Sequence, residues 1–253
     1  MSWRRRTLGY ALTMLAVTAC AGGPPPEFND SSGDPAKANA KLGLAYMERG
    51  EYDVAVAKLK KAIEINPDLA EAHHFLAEAY QHLGNVALAD KHFKRAISLS
   101  GSNPALQNNY GIFLCRQGRY QEALRHFSRA FDDNSYTRQD ESYENAGLCA
   151  LRIPDTAKAE RFFRHALKID PRRTESLYQM ALLEYNTGHY LQARAFLQRL
   201  YDLNYYSPED LMLGVKVERK LGDRQAEDRY TARLKKQFPK SQETRSLTES
   251  EHP

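Results

Sequence analysis

The sequence lacks the short motifs that mark common catalytic and metal sites. It contains no H-E-x-x-H pair, no C-x-x-C pair and no glycine-rich phosphate-binding loop. Its histidines are scattered along the chain, and even the neighbours His73 and His74 point in different directions on a helix. We therefore predict no catalytic residue, no metal ligand and no cofactor, and a binding protein is favoured over an enzyme.

Long charged runs are scarce as well. Lys and Arg number 36 against 32 Asp and Glu, which gives a net charge of +4. Arg4, Arg5 and Arg6 contribute three of those four charges and lie in a segment that we predict to be removed. The mature chain is then almost neutral, and no Lys/Arg-rich run remains in its body. Neither a nucleic acid nor a small-molecule substrate is expected as a partner.

No hydrophobic run is long enough to cross a membrane as a helix. The apolar stretch from Leu8 to Val17 has about ten residues, whereas a spanning helix needs about 20. This stretch follows the three arginines and ends just before Ala19, which is the order of an export signal. Residues 1–19 are therefore predicted to be a signal peptide.

The end of that segment predicts a lipid anchor. Val17-Thr18-Ala19-Cys20 resembles a bacterial lipobox, in which the cysteine is acylated and becomes the first mature residue. Ala21 follows it, and the absence of Asp there favours the outer membrane of a Gram-negative bacterium, with the protein facing the periplasm. The alternative is an ordinary signal peptide cut near Ala19, with Cys20 as a free thiol. Residues 20–35 are rich in Pro, Gly and Ser and are predicted to form a flexible tether.

The remainder of the chain repeats with a period of about 34 residues. Three independent positions share the spacings 34, 34 and 36. They are Gly43, Ala77, Gly111 and Gly147; Ala55, Ala89, Ala123 and Ala159; and Ala62, Ala96, Ala130 and Ala166. A helix–turn–helix repeat with this period and these small residues matches the tetratricopeptide (TPR) pattern.

The predicted fold is all-α, a right-handed α-solenoid of six TPR helix-turn-helix repeats over residues 36–240. Small residues let the two helices of a repeat cross closely, and glycines at Gly50, Gly84, Gly118 and Gly188 suit left-handed caps. The sixth repeat is the most degenerate, and residues 241–253 are predicted to be a disordered tail. The repeats are placed at 36–69, 70–103, 104–137, 140–173, 174–207 and 207–240.

Two further cysteines occupy nearby places in neighbouring repeats. Cys115 lies near the end of the first helix of repeat three, and Cys149 lies in the equivalent helix of repeat four. Export to an oxidising compartment permits a disulfide between them. Adjacent helix axes stand about 8–10 Å apart, which allows but does not require the pairing. The alternative is two buried thiols.

The concave face of the solenoid is the candidate binding surface. In TPR solenoids the first helices line it, and the second, fifth, ninth and twelfth places of each repeat point into it. Apolar groups at its ends and a middle rich in Asn, Gln and Glu suit an extended peptide or a docked helix. The alternative is that the leucines only pack between helices. The candidate residues are Leu44, Met47, His74, Glu78, Asn108, Ile112, Glu144, Leu148, Tyr178 and Leu182.

Two stretches carry a more specific resemblance. One is Asn108-Asn109-Tyr110-Gly111-Ile112-Phe113-Leu114-Cys115, followed by Gly118-Arg119-Tyr120; the other is Tyr143-Glu144-Asn145-Ala146-Gly147-Leu148-Cys149-Ala150. With the lipobox, the tether and six TPRs, the chain resembles the type IV pilus biogenesis/stability lipoproteins, the pilotin-like PilF/PilW family. The resemblance implies an outer-membrane lipoprotein that binds secretin subunits of the type IV pilus and promotes their localisation and multimerisation.

Two other functions stay open at this stage. A TPR lipoprotein of the outer-membrane β-barrel assembly machinery would also be a tethered scaffold, usually with fewer and more irregular repeats. An enzyme of cell-wall turnover, or its activator, belongs to a different class and would need an acid/base or metal constellation that the sequence does not show.

Overall fold

The computed structural model describes residues 33–153 and 155–251 and is helical throughout these ranges, with no strand in them. The predicted signal peptide at 1–19, Cys20 and most of the predicted tether lie outside the described residues. The helices are α1 Pro35–Glu48, α2 Tyr52–Ile65, α3 Ala70–His82, α4 Val86–Ser100, α5 Pro104–Arg116, α6 Tyr120–Phe131, α7 Gln139–Ala150, α8 Thr156–Ile169, α9 Thr174–Asn186, α10 Tyr190–Asp202, α11 Pro208–Leu221, α12 Arg224–Gln237 and α13 Gln242–Glu251.

The first twelve helices form six consecutive antiparallel pairs, which confirms the all-α TPR solenoid. Each repeat range given above contains one pair, with α1 and α7 beginning one residue earlier, at Pro35 and Gln139. The two helices of a pair pack on each other, and the second helix of each pair also packs on the first helix of the next. First helices of neighbouring repeats meet directly, as α1 does with α3 and α5 with α7. In the described ranges no helix is long and apolar enough to cross a bilayer.

Glycine permits the closest helix crossings. In four repeats a first-helix glycine faces a large side chain of the second helix, as Gly147 faces Phe163. A Cβ at residue 147 would lie 2.6 Å from the Phe163 ring, closer than packed carbon atoms approach. The alanines of the second and third repeating sets are fully buried beside these crossings. Small residues therefore recur with the repeat period because the two helices of each pair cross too closely for larger side chains.

One continuous hydrophobic core runs from Ala40 in α1 to Leu200 in α10. It is richest in repeats two to four, where Phe93, Tyr110 and Phe113 pack with ring centroids 5.2–6.0 Å apart. Such tilted and offset pairs are favourable beyond the area they bury. These rings join repeats two and three through aromatic contacts.

The predicted disorder of residues 241–253 is wrong for residues 242–251, which form α13. Leu247 of α13 is 4% exposed and packs against Leu211, Val215 and Leu234 of repeat six. The segment has a single apolar anchor, so no helical period is visible in its sequence. Within the described residues no seventh helix pair covers the apolar side of repeat six, and this uncovered side is the physical cause of the order of α13. Helix α13 covers that side.

Repeat six departs from the pattern at Arg233, where a small residue is usual. Its guanidinium lies 4.5 Å from the ring centroids of both Tyr201 and Tyr206. Cation–π contacts of this kind stabilise a charged group at a partly buried position. The degenerate repeat is therefore closed by polar and aromatic contacts, which suits the end of a solenoid.

Candidate partner-binding groove

The first helices α1, α3, α5, α7, α9 and α11 form one continuous surface, here called the groove face. Side chains at the ninth place of repeats one to five are half-buried on this face, which leaves part of each one accessible to solvent. They are Leu44, Glu78, Ile112, Leu148 and Leu182. The twelfth place behaves in the same way, with Met47, Gln81, Cys115, Leu151 and Tyr185. The predicted groove residues at these two places are therefore partly accessible on the groove face.

Asn108 does not belong to the accessible groove, contrary to our prediction. It is 1% exposed, and its Oδ1 accepts hydrogen bonds from Ser142 Oγ at 2.9 Å and from Asn145 Nδ2 at 3.2 Å. Both donors lie on α7, the first helix of the next repeat. Asn108 therefore joins two repeats, because a buried amide is stable only when its polar atoms are paired.

Glu144 is the second predicted groove residue that is buried. It is 7% exposed and pairs with the Arg173 guanidinium. It also accepts hydrogen bonds from the backbone N–H of Ser176 at 3.1 Å and from its hydroxyl at 2.7 Å. Asn108 and Glu144 share the fifth place of their repeats. A side chain there points along the solenoid into the seam with the next first helix.

Tyr178 and His74 occupy the same place but remain half-buried. His74 lies 3.1 Å from Glu78, and Asn109 of the next repeat approaches both side chains at 2.9–3.1 Å. This polar group of three lies on the groove face between repeats two and three. Asn109 was missed from the sequence because its place, the sixth, is not among those expected to face the groove.

A disulfide joins Cys115 of α5 to Cys149 of α7. Their Cα atoms are 5.9 Å apart, within the usual span of about 4.4–6.8 Å. Cys115 is half-buried on the groove face, whereas Cys149 is 1% exposed. Of the two alternatives that the sequence left open, the structure contains the cross-link, and it ties repeats three and four together at the floor of the groove.

A cleft of about 780 Å³ lies over this cross-link and is here called the disulfide cleft. Its size falls within the usual range for ligand pockets. Helices α5, α7 and α9 provide most of its walls, so it belongs to the groove face. Its lining consists of Ile112, Cys115, Arg116, Tyr120, Phe127, Asn145, Leu148, Cys149, Leu151, Arg152 and Gln179. Of the predicted groove residues, it brings Ile112 and Leu148 together.

Tyr178 and Leu182 lie elsewhere on the face, in a second cleft of about 470 Å³. Helices α9 and α11 form one side of it, and α13 contributes Gln242, Glu243 and Leu247 to the other. Leu44 and Met47 lie on α1, at the opposite end of the chain of repeats. The ten predicted residues therefore do not form one site but are spread along the whole solenoid.

His73, His92 and His126 behave as structural groups. His73 Nδ1 and His92 Nδ1 are 2.9 Å apart, and His73 Nε2 donates to the carbonyl of Pro67 at 3.0 Å. Neutral His73 therefore accepts at Nδ1, and His92 donates to it. Burial, and then the neighbouring His73, lowers the pKa of His92 to about 4. Burial also lowers the pKa of His126 to about 4, and His126 Nδ1 lies 2.6 Å from Gln107 Oε1.

No group of three or more His, Cys, Asp or Glu side chains suited to a metal ion occurs within 33–153 and 155–251. His92 and His126 are packed between helices, where a pKa shift reflects structure as readily as chemistry. What the groove face offers is contact area, amides and guanidinium groups. This chemistry suits the recognition of another polypeptide.

Comparison with known families identifies the repeats. Models described as TPR repeat or tetratricopeptide repeat match residues 43–84, 70–103, 102–172 and 175–204. The matches cover parts of the first five helix pairs. The sixth pair, with Arg233 at a position that usually holds a small residue, lies beyond the last of these matches.

Similarity to individual proteins extends over nearly the whole chain. The type IV pilus assembly protein PilF of Pseudomonas aeruginosa is 32% identical over 235 residues, which cover 92% of this chain and 93% of that protein. The solved structure of Pseudomonas aeruginosa PilF superposes with a TM-score of 0.75 at 30% identity, covering 85% of this chain and 97% of that one. PilW, described as a widely conserved type IV pilus biogenesis factor, superposes with a TM-score of 0.73 at 27% identity, covering 84% and 98%.

Proposed function

The chain belongs to the family of the type IV pilus biogenesis proteins PilF and PilW, which are built from TPR repeats, and we propose that it is an outer-membrane lipoprotein adaptor that binds secretin subunits of the type IV pilus. The lipid on Cys20 holds the solenoid at the membrane, and the groove face holds the client. Bringing subunits to one surface raises their effective concentration and thereby promotes their multimerisation.

The observation that carries this proposal is the similarity to PilF over 92% of this chain and 93% of that protein. It includes all six helix pairs rather than a few repeats, so it reflects the whole architecture. The Val17-Thr18-Ala19-Cys20 stretch supports the lipid anchor. The accessible side chains on the first helices support a peptide or helix as the ligand, since the described residues offer contacts rather than a reaction centre.

Anchoring is tested with Cys20→Ala. We expect the variant to leave the outer-membrane fraction while the solenoid keeps its helical circular dichroism, because the acyl chains supply the membrane affinity. Membrane fractionation followed by a high-salt wash measures this. A variant that stays with the outer membrane after the wash would show that the lipid on Cys20 is not the anchor.

Client binding is tested at repeat one with Leu44→Glu. Leu44 is half-buried on the groove face of α1, close in sequence to the tether. A charge there should weaken an apolar contact with the client and lower the amount of detergent-resistant secretin multimers on a gel. Ile65→Glu is the matched control, since Ile65 is 44% exposed at the end of α2, in the same repeat but on its second helix.

Comparison of Leu44→Glu with Ile65→Glu distinguishes loss of client binding from loss of folding. Fewer multimers with Leu44→Glu than with Ile65→Glu, at equal thermal stability, is the expected result. Equal multimers in both variants would remove repeat one from the binding surface. Unfolding of the Leu44 variant would show that this side chain is part of the core. Affinity capture from outer membranes that recovers the β-barrel assembly machinery and no secretin would overturn the choice of client.

A further inference from the structure

Two guanidinium groups border the disulfide cleft. Arg116 is the last residue of α5, and Arg152 follows the end of α7, at equivalent places of repeats three and four. Both side chains are exposed. Among the residues that the structure describes, neither has an ion pair with a carboxylate, whereas Arg119, three residues after Arg116, pairs with both Asp90 and Glu122.

The lining of the disulfide cleft contains no Asp or Glu. Its floor is apolar, with Ile112, Leu148 and Leu151, and the amides of Asn145 and Gln179 are its uncharged polar groups apart from Tyr120. The second cleft differs in this respect, because Lys216 and Arg219 are there accompanied by Glu209 and Glu243. The disulfide cleft is thus a positively charged site with an apolar floor, in a chain of nearly balanced charge.

A structural role for the two arginines accounts for only part of this arrangement. Cations near the C-terminal end of a helix interact favourably with its dipole, and both residues lie near such ends. That interaction does not require them to border a cleft of about 780 Å³ with an apolar floor, nor does it require the cleft lining to be free of acidic groups. Charge complementarity indicates what the cleft would hold.

We propose that the disulfide cleft binds an extended segment of a partner protein in which apolar side chains are flanked by Asp or Glu. The apolar side chains lie on Ile112, Leu148 and Leu151, and the flanking carboxylates accept hydrogen bonds from Arg116 and Arg152. Guanidinium groups bind carboxylates through two parallel N–H donors, which fixes the register of the segment as well as adding affinity.

Asn145 contributes to the same site. Its Nδ2 donates to Asn108 Oδ1 at 3.2 Å, which orients the amide, and its Oδ1 would accept a peptide N–H from the bound segment. The disulfide keeps the two walls at a fixed spacing, so little ordering is needed on binding. The proposal rests on the groove face being the binding surface, as proposed above, but not on the identity of the client.

The test uses the purified full chain in detergent and a fluorescent, C-terminally amidated peptide, Ser-Asp-Leu-Val-Leu-Asp-Ser. Amidation removes the terminal carboxylate, so that only the side chains carry negative charge. We expect saturable binding by fluorescence anisotropy, and weaker binding at high ionic strength because the cleft rim is exposed to solvent. Peptides with Asn in place of Asp, and with Ser in place of Leu and Val, should each bind at least several-fold more weakly.

The variant is Arg116→Gln with Arg152→Gln. We expect its affinity for the Asp peptide to fall by roughly tenfold or more, since hydrogen bonds to charged groups contribute on that order. The matched control is Arg125→Gln with Arg161→Gln, two exposed arginines on the second helices of the same repeats. This control removes the same net charge and should bind as the native chain does.

Three results would overturn the proposal: no binding by the native chain, equal binding of the Asp and Asn peptides, or equal loss in the two double variants. None of them bears on secretin multimerisation, which is read separately with Leu44→Glu. If the native chain binds the peptide but fails to multimerise the secretin, the binding role of the disulfide cleft stands and the secretin is not the client. If it multimerises the secretin but does not bind the peptide, the secretin stays the client and the proposed binding role of the cleft is wrong.

Discussion

Gly111 and Phe127 stand so close that a Cβ atom at residue 111 would lie 2.7 Å from Cε1 of the ring. Phe127 is 1% exposed. In repeat two the same place holds Ala77, opposite Phe93. The largest side chain found at this place is thus a single methyl group, and it occurs in some repeats and not in others. The crossing distance of each repeat is therefore set by its own pair of residues.

Gly111→Val should destabilise the protein by about 1–3 kcal/mol, because the added side chain overpacks a filled crossing. Chemical denaturation followed by circular dichroism measures the change. Ala105→Val is the control, since Ala105 is exposed near the start of the same helix. It should cost no more than about 0.5 kcal/mol. Equal effects in the two variants would show that the crossing is looser than described.

Glu144→Ala should destabilise the junction of repeats four and five by about 1–3 kcal/mol. The change removes the acceptor for the N–H and hydroxyl of Ser176 and leaves Arg173 with Asp140 alone. Hydrogen exchange should show faster exchange at the Ser176 amide in particular.

Glu141→Ala provides the comparison. Glu141 pairs with Arg138, whose side chain is 66% exposed, and such surface pairs contribute about 0–1 kcal/mol. If Glu141→Ala lowers stability as much as Glu144→Ala does, the buried network has no special role at the repeat junction.

Stability should fall as the pH is lowered from about 6.5 towards 4. His92 and His126 have pKa values of about 4 in the folded chain, below the ordinary value of 6.5. In this window the unfolded chain binds more protons than the folded one, so the free energy of unfolding rises with pH and is lost on acidification. Thermal melts at a series of pH values measure the slope.

The double change His92→Gln with His126→Gln isolates the cause. It removes both groups, so the variant should lose less stability than the native chain over the same window, whatever its stability at neutral pH. A slope identical to that of the native chain would assign the acid sensitivity to other groups. Stability that is constant in the native chain from pH 6.5 to 4.5 would contradict the direction of both shifts.

Leu247→Ala should release α13 from repeat six. Leu247 is the anchor that packs on Leu211, Val215 and Leu234, and a buried Leu→Ala change costs about 2–5 kcal/mol in protein cores. A terminal helix held by one such contact should lose its hydrogen-exchange protection while repeats one to four keep theirs. Arg245→Ala, an exposed change in the same helix, should leave that protection intact.

The repeat pattern could be predicted from the sequence because it records steric contacts within one helix pair. Gly43, Ala55 and Ala62 are small because the two helices of their repeat cross closely, and an equivalent crossing occurs about every 34 residues. The groove residues were harder to predict, because the direction of a side chain depends on the neighbouring repeat. Ile112 and Leu148 at the ninth place are accessible, whereas Asn108 at the fifth is enclosed.

A weak signal for that seam exists in the sequence. Ser142 and Ser176 are 34 residues apart and supply the hydroxyl donors to Asn108 and Glu144. Small polar residues at the third place, following polar residues at the fifth place of the previous repeat, would have indicated a hydrogen-bonded seam. No comparable pattern in residues 242–251 predicts α13. The order of this helix depends on the apolar surface of repeat six and not on the composition of the helix.

The disulfide also limits how far the protein can be stretched. Cys115 and Cys149 are separated by 34 positions, and a chain segment of that length extends to about 110–120 Å when fully drawn out. A pull on the two ends can unravel the other repeats one after another, but it cannot draw out the segment between the two cysteines. Under load the solenoid therefore yields at its ends, while the floor of the disulfide cleft keeps its two walls joined.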